Sequence, residues 1–291
     1  MSNGIKAIIL GGTGLLGKAL AQKFAANGIA VTLSGRNEGL PGYGFVKLDA
    51  LTCTDYSFLS SYDVVIDCLG QVTNPITICA SINTTASLQI AMAVAGTGIY
   101  YVKISSLAVY GSADLVTEET PCNPDSAYGA LKLASENIFA ELLSPENYLN
   151  IRLSNLYGDT ANKGVIAYLK REWDGSKSIF FDNDGSLLRY FIHVEDAVDI
   201  IDNLVFGSRS ADGELQGNSG TINLPGPEKH TVKSLIAAAE AALGISYETS
   251  FKKSDFVWGN IKDISTEKLA KYSTLQYKHT ISDYFKKLVT L

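Results

Sequence analysis

The chain has 291 residues, 46% apolar and 19% charged, which suits a folded protein with a sizeable core and excludes a disordered chain. A net charge of -6 argues against a role built on gripping a nucleic-acid backbone. Four cysteines, Cys53, Cys68, Cys79 and Cys122, form no C-x-x-C pair, so neither a zinc site nor a disulfide framework is expected, and a reducing cytoplasmic setting is.

The N-terminal residues show no secretory pattern and run straight into a strand. No apolar run reaches the ~20 residues of a membrane span, so no membrane partner is expected. "KAIILGG" (6–12) reads as a buried strand, followed by a helix over 15–27. "IAVTLSGR" (29–36), "YGFVKLDA" (43–50) and the β-branched "DVVIDCLG" (63–70) read as three more strands. A helix over 87–98 and a fifth strand, "IYYVKISS" (99–106), follow. The spacing of "SAYGALKLASENIFAELL" (126–143) predicts a helix with Pro145 just beyond its end, and "YLNIRLSNLYG" (148–158) reads as a sixth strand.

This alternation predicts βαβ units, hence an α/β fold with a doubly wound parallel sheet of Rossmann type. After Gly158 the rhythm changes. A turn, short strand and helix are expected over 182–205, and a polar loop, strand, Pro-Gly-Pro turn and helix capped near Thr231 over 213–243. Irregular structure and helices are expected beyond. The division is a dinucleotide-binding domain at 1–157 and a smaller substrate domain at 158–291, with 189–224 packing back on the first.

The first strand hands over to its helix through Gly11, Gly12, Thr13, Gly14, Leu15, Leu16 and Gly17. Glycines here permit a tight turn and let backbone N–H groups approach a pyrophosphate, and the positive helix end favours its charge. The second strand ends in Ser34, Gly35 and Arg36, where an NAD site commonly carries an acid. An arginine can pair with the 2′-phosphate of NADP, and Ser34 can add a hydrogen bond, so NADP is preferred, with NAD the alternative. Glu38 lies near enough to do the acid's work instead.

Tyr128 and Lys132 stand four residues apart, on one helix face. A phenol of pKa about 10 is a poor proton shuttle at neutral pH, and a neighbouring ammonium lowers that value. Ser105 and Ser106 offer hydroxyls at the carboxyl end of the fifth strand, where open α/β sheets bind ligands.

"GGTGLLG", "ISSLAVYG", "YGALK", "NIRLSNLYG" and "RYFIHVEDA" occur in the order seen in the extended short-chain dehydrogenase/reductases. Over nearly its whole length the chain resembles their NAD-dependent epimerase/dehydratase family. The resemblance implies a nucleoside diphosphate sugar held between a Rossmann domain and a smaller C-terminal domain, and a homodimer formed through the 126–143 helix. It places the catalytic serine on Ser106, the acid/base on Tyr128 and its partner, which also holds the cofactor ribose, on Lys132. Asn83 matches, more loosely, an asparagine opening the helix after the fourth strand. Asp49, with Ala50 beside it, matches an adenine-contacting aspartate, and Leu69 and Gly70 fall on the nicotinamide side of the cofactor. Asn155 and Arg189 match positions that contact the substrate and its diphosphate.

Departures narrow the reaction. Dehydratases of the family resemble "STDEVYG", whereas Leu107 and Ala108 replace the Asp-Glu pair here. Decarboxylases keep the glutamate, and epimerase/reductases of the GDP-fucose-synthase kind place a cysteine after the serines. What remains is an NADPH-dependent reductase of a 4-keto (6-deoxy) sugar nucleotide, with a 4-epimerase as the alternative and a non-catalytic cofactor-binding regulator as an alternative of another class. The family's second diphosphate arginine is replaced by Lys252 and Lys253, and "DCLGQV" departs from its usual strand end. His193, His230 and His279 read as scattered structural histidines, Tyr100 and Tyr101 as packing, and Glu118, Glu119, Lys252 and Lys253 as solvated surface.

Overall fold

The computed structural model describes residues 4–70, 74–207, 217–252, 260–274 and 276–290. Gln71, Val72, the 213–216 part of the expected polar loop and Lys253 lie outside them. The opening alternation is β1 (Lys6–Leu10), α1 (Leu15–Ala26), β2 (Ala30–Gly35), β3 (Gly44–Lys47), β4 (Val64–Asp67), α2 (Ile76–Ser81), α3 (Ser87–Val94) and β5 (Tyr100–Ser106). There follow β6 (Ala113–Val116), α4 (Ala127–Leu142), β7 (Tyr148–Leu153), β8 (Asn155–Tyr157), α5 (Val165–Asp174), β9 (Ser178–Phe181), β10 (Leu188–His193) and α6 (Val194–Phe206). The described chain closes with β11 (Gly220–Leu224), β12 (Glu228–Thr231), α7 (Val232–Leu243), β13 (Glu248–Phe251), β14 (Ile261–Ile264), α8 (Glu267–Tyr272) and α9 (Ile281–Val289).

Seven strands form one parallel sheet in the order β11-β7-β5-β4-β1-β2-β3. Strand alternation sends side chains to two faces. Ala7 and Ile9 pack with Leu20 and Phe24 of α1 and with the apolar side of α6, while Ile8 and Leu10 pack with Ile90 of α3 and Phe139 of α4. Tyr100 and Tyr101 divide between the same two cores, as expected of packing residues. With helices on both faces, the central strands are buried on both sides and mostly apolar, and their buried charges, Asp67, Lys103 and Arg152, are paired. Chain order reverses where β1 lies between β2 and β4, and a crevice opens there at the carboxyl ends of the strands.

Three expectations are corrected. The strand foreseen over 148–158 breaks at Ser154: β7 stays in the main sheet, and β8 pairs with β10 in a second sheet ordered β12-β10-β8. The final stretch contributes β13 and β14 as well as helices, and these pair with β9 and β6. Runs of three or four residues are too short to show a period. Lastly, the continuous helical run Ile76–Val94, which includes α2 and α3, has 19 residues and is largely apolar. By length and composition it is enough to cross a membrane, but its inner face packs on the sheet and α4, and Ser87 Oγ lies 2.8 Å from Ser135 Oγ of α4.

The region after Gly158 is tied back to the main sheet twice. β11 pairs with β7, and α6 packs on α1, where Lys23 of α1 meets Asp199 of α6 at 2.7 Å. A separate apolar core gathers α5, α7 and α9, and Thr231 caps α7 by accepting the Ser234 N–H at 3.0 Å.

Candidate active site

The glycine turn is closed by backbone hydrogen bonds. Gly12 N–H donates to Ile9 at 3.1 Å and to Ser34 at 2.9 Å, and Gly14 N–H donates to Gly11 at 3.0 Å. Gly11 sits at φ +72°, the left-handed region glycine tolerates best. A Cβ on Gly17 would lie 2.7 Å from both the Gly11 oxygen and the Gly12 Cα, so α1 reaches this close to the turn only with glycine. Gly14 caps α1 without a side-chain bond, and the first turn holds no acid. The helix therefore presents an uncapped positive end, and this cradle fits the pyrophosphate of a dinucleotide.

The turn lines one end of a cavity of about 750 Å³. Gly11, Gly14, Leu15, Leu16 and Gly17 face it from β1 and α1, Ser106 and Tyr128 from β5 and α4, and Asn155 and Arg189 from the second sheet. Thr13, Ser34, Arg36, Asp49, Ala50, Leu69, Gly70, Asn83 and Lys132 are not among its lining residues.

Ser106 ends β5 and accepts the Ala108 N–H at 3.2 Å, which caps a single turn of 3-10 helix. α4 begins opposite, where Ser126 Oγ accepts the Gly129 N–H at 3.1 Å. Gly129 is buried against this turn, and a Cβ there would strike the Ala108 carbonyl oxygen. That close approach brings half-buried Tyr128 to the cavity that Ser106 also lines.

Lys132 lies one helical turn further on, wholly buried, and donates from Nζ to the carbonyls of Leu69 and Ile104, each at 3.0 Å. Burial, reinforced by the nearby Lys103 ammonium and opposed by Asp67, brings its pKa down to about 7. The lysine expected to carry a full charge is thus only partly charged at neutral pH. Below it, Lys103 pairs with Asp67 at 2.6 Å, and Tyr101 donates to the same carboxylate at 2.7 Å. Burial alone would raise Asp67, but these partners outweigh it and hold the carboxyl below the usual range.

Asn83 does not open the helix after β4. It lies midway along it, in a widened π turn over Ile82–Ala86. Its Nδ2 donates to Gly70 at 3.2 Å and to Cys79 at 2.9 Å, while its buried Oδ1 makes no hydrogen bond among the described residues. Gly70 must be glycine here, because at φ +80° its Cβ would lie 2.5 Å from that oxygen. Ser34 is wholly buried and its hydroxyl has no hydrogen-bond partner among the described residues, whereas Arg36, just beyond β2, is exposed. Asp49 Oδ1 accepts the Leu51 N–H at 3.1 Å and so shapes its own turn.

In the second sheet Asn155 pairs in register with Phe191, and its Nδ2 donates to the Tyr190 carbonyl at 3.1 Å. Arg189 Nη1 donates to its neighbour Leu188 at 2.8 Å. Burial pulls the guanidinium below its ordinary pKa, against the opposing charge of Asp125. Cys68, Ser154, Lys163 and Ile261 also line the cavity and were not foreseen. The sequence hint at Lys163 was the glycine after it, since Gly164 caps α5 at φ +87°. Of the four cysteines, all free, only Cys79 is fully buried.

Two of the scattered histidines meet. The rings of His193 and His279 stack at 4.0 Å, and with Glu195 they form a group close enough to hold a metal ion. Both nitrogens of His279 are already engaged, Nδ1 with buried Asp196 at 2.9 Å and Nε2 with Glu195 at 3.2 Å. His193 Nδ1 accepts the Glu195 N–H at 3.3 Å. This is a hydrogen-bonded clamp that fastens the segment before α9 onto the start of α6. Glu118 also proves more than solvated surface, because its Oε1 accepts the Asn223 N–H at 2.8 Å.

The sheet order, the glycine turn at its switch point and the shared cavity define a dinucleotide-binding protein of Rossmann type. The model of the NAD dependent epimerase/dehydratase family matches residues 7–212, and the chain belongs to that family of enzymes.

Among solved structures, it is similar to UDP-glucuronic acid 4-epimerase from Bacillus cereus in complex with UDP-glucuronic acid and NAD, with a TM-score of 0.80, 20% identity and 97% of each chain covered. It is similar also to TunA, an NAD-dependent NDP-hexosamine 5,6-dehydratase involved in tunicamycin biosynthesis, with a TM-score of 0.81, 20% identity, and 98% of this chain and 97% of TunA covered. Among curated proteins it is 30% identical over 163 residues to methionine adenosyltransferase 2 subunit beta of Xenopus tropicalis, a match covering 54% of this chain and 48% of the relative. The chain thus spans about half the length of that relative.

Proposed function

We propose that this chain reduces a 4-keto (6-deoxy) nucleotide sugar with NADPH. The observation that carries the reading is the meeting of Ser106 and Tyr128 in one cavity with the glycine turn, where Leu107 and Ala108 line the wall in place of an acid/base pair. Arg36, exposed at the end of β2, favours the 2′-phosphate of NADP. Asn155 and Arg189 line the same cavity, where a guanidinium can grip a diphosphate. In this reading residues 158–291 supply much of the substrate side, and the four free cysteines fit a cytoplasmic setting. Leu88 and Met92 of α3 and Leu142 of α4 are exposed apolar residues that suit a homodimer through these helices.

A bound reduced nicotinamide would supply hydride to the carbonyl carbon. Ser106 Oγ and Tyr128 Oη hold the carbonyl oxygen, Tyr128 donates its proton there, and solvent returns one to the phenolate. Lys132, one helical turn further along α4, would hold the cofactor ribose only by turning its Nζ from the carbonyls of Leu69 and Ile104. Loss of NADPH absorbance with a panel of 4-keto-6-deoxy nucleotide sugars tests the proposal: turnover with at least one supports it, and none with any would refute it.

Two other readings have an observation behind them. The likeness to a 4-epimerase favours epimerisation, which would show as interconversion of nucleotide sugars by a tightly held NAD without net NADPH use. The curated relative is a subunit of a larger enzyme, which favours a cofactor-binding regulatory subunit. That role would show as NADP binding without turnover.

A further inference from the structure

Tyr128, Lys132 and Glu136 follow one another at intervals of four along α4, so they share a stripe on its inner face. The first two anchor points of this stripe, Gly129 against Ala108 and Lys132 on the Leu69 and Ile104 carbonyls, belong to the site described above. The third does not. Glu136 is 4% exposed and accepts the hydroxyl of Ser105, the residue before Ser106. Its carboxylate also receives Arg152 of β7, from Nη2 at 2.7 Å and from Nε at 3.1 Å. Ser105 and Arg152 are paired in register across β5 and β7, so one carboxylate clasps two adjacent strands.

The clasp continues outward. Arg152 Nη1 donates to Tyr110 Oη at 2.6 Å, and Tyr110 donates to Asn223 Oδ1 of β11 at 2.9 Å. A buried ion pair is a poor device for stability alone, because desolvation cancels most of its attraction and apolar side chains of equal volume often serve better. What such a pair supplies is direction. Its hydrogen bonds fix how far α4 stands along β5, and that offset sets where Tyr128 stands relative to Ser106.

We infer that Glu136, held by Arg152 and bonded to Ser105, is the positioning residue that sets the Ser106–Tyr128 geometry for carbonyl reduction. The inference rests on the reductase reading. Three variants test it beside the wild type: S105A, the mild one, then E136Q, and the apolar double variant E136L/R152M. Each is assayed for melting temperature, NADPH affinity, KM and kcat.

In S105A and E136Q, kcat is expected to fall by about tenfold to a hundredfold, the cost of misplacing reacting groups by less than about 1 Å, while NADPH affinity and KM hold. The double variant is expected to melt near the wild-type temperature and still turn over slowly. Wild-type kcat in S105A, or recovery of kcat together with stability in the double variant, would overturn the inference and leave the reductase reading standing. A wild type with no turnover on the panel overturns both.

Discussion

A Cβ built on Gly129 would strike the carbonyl oxygen of Ala108, so the first turn of α4 and the turn after Ser106 are in backbone contact. Replacing a helical glycine with alanine ordinarily stabilises by up to about 1 kcal/mol. Here overpacking costs about 1–3 kcal/mol, and the clash is with backbone, which cannot rotate away. Gly129→Ala is therefore expected to lower stability in urea titration and to reduce kcat at least about tenfold by moving Tyr128. A more stable and fully active variant would show that the contact relaxes without consequence.

Lys132 links the site to pH. Its pKa is about 7 in the folded chain and 10.5 when freely solvated. Between those values the unfolded chain binds the extra proton, so this residue makes folding more favourable as pH rises through the window. Below about pH 7 both states are protonated, and the buried charge then carries its full cost. Against Lys132→Met, the wild type should gain about 1.4 kcal/mol for each pH unit in that window, a few kcal/mol in all. Urea midpoints at ~pH 7 and ~pH 9 measure the difference. Parallel pH profiles for the two proteins would mean that Lys132 keeps an ordinary pKa.

Arg36 is exposed beyond β2, so replacing it should leave the fold intact and isolate its electrostatic part. Arg36→Asp removes a cation and adds an acid that repels a 2′-phosphate while accepting from a ribose hydroxyl. The ratio of NADP to NAD affinity should drop at least about tenfold, the loss of a charge-assisted pair worth ~1.5–3 kcal/mol. Titration of both cofactors by intrinsic fluorescence measures it, and an unchanged ratio would leave Arg36 a bystander.

The main sheet could be read in the sequence because its strands are apolar and bounded by glycines, and because the 126–143 helix is long enough to show its period. The glycine turn, Ser106 and Tyr128 were legible because each lies at a strand end or helix start whose place follows from chain order, whereas Asn155 and Arg189 were expected only through the family resemblance. Long-range contacts were not. Nothing local to "YGALK" tells that Lys132 would be buried between the carbonyls of Leu69 and Ile104, or that Glu136 would reach Ser105. His193 and His279 stack only because the segment before α9 folds back on α6. Ile261 reaches the cavity on a four-residue strand whose pairing with β6 no pattern announces. Asn83 was misplaced because the helix starts earlier, after Pro75, and widens around it.

Carbonyl reduction in this cavity turns on one proton. Tyr128→Phe removes the hydroxyl and keeps the ring at the start of α4. NADPH consumption with a 4-keto-6-deoxy nucleotide sugar, measured beside NADPH affinity, tests it most directly. Turnover is expected to fall by about a hundredfold or more while the affinity is kept, because general-acid catalysis contributes about 10²–10⁴-fold. A phenylalanine variant as fast as the wild type would contradict the assignment of Tyr128 as the acid.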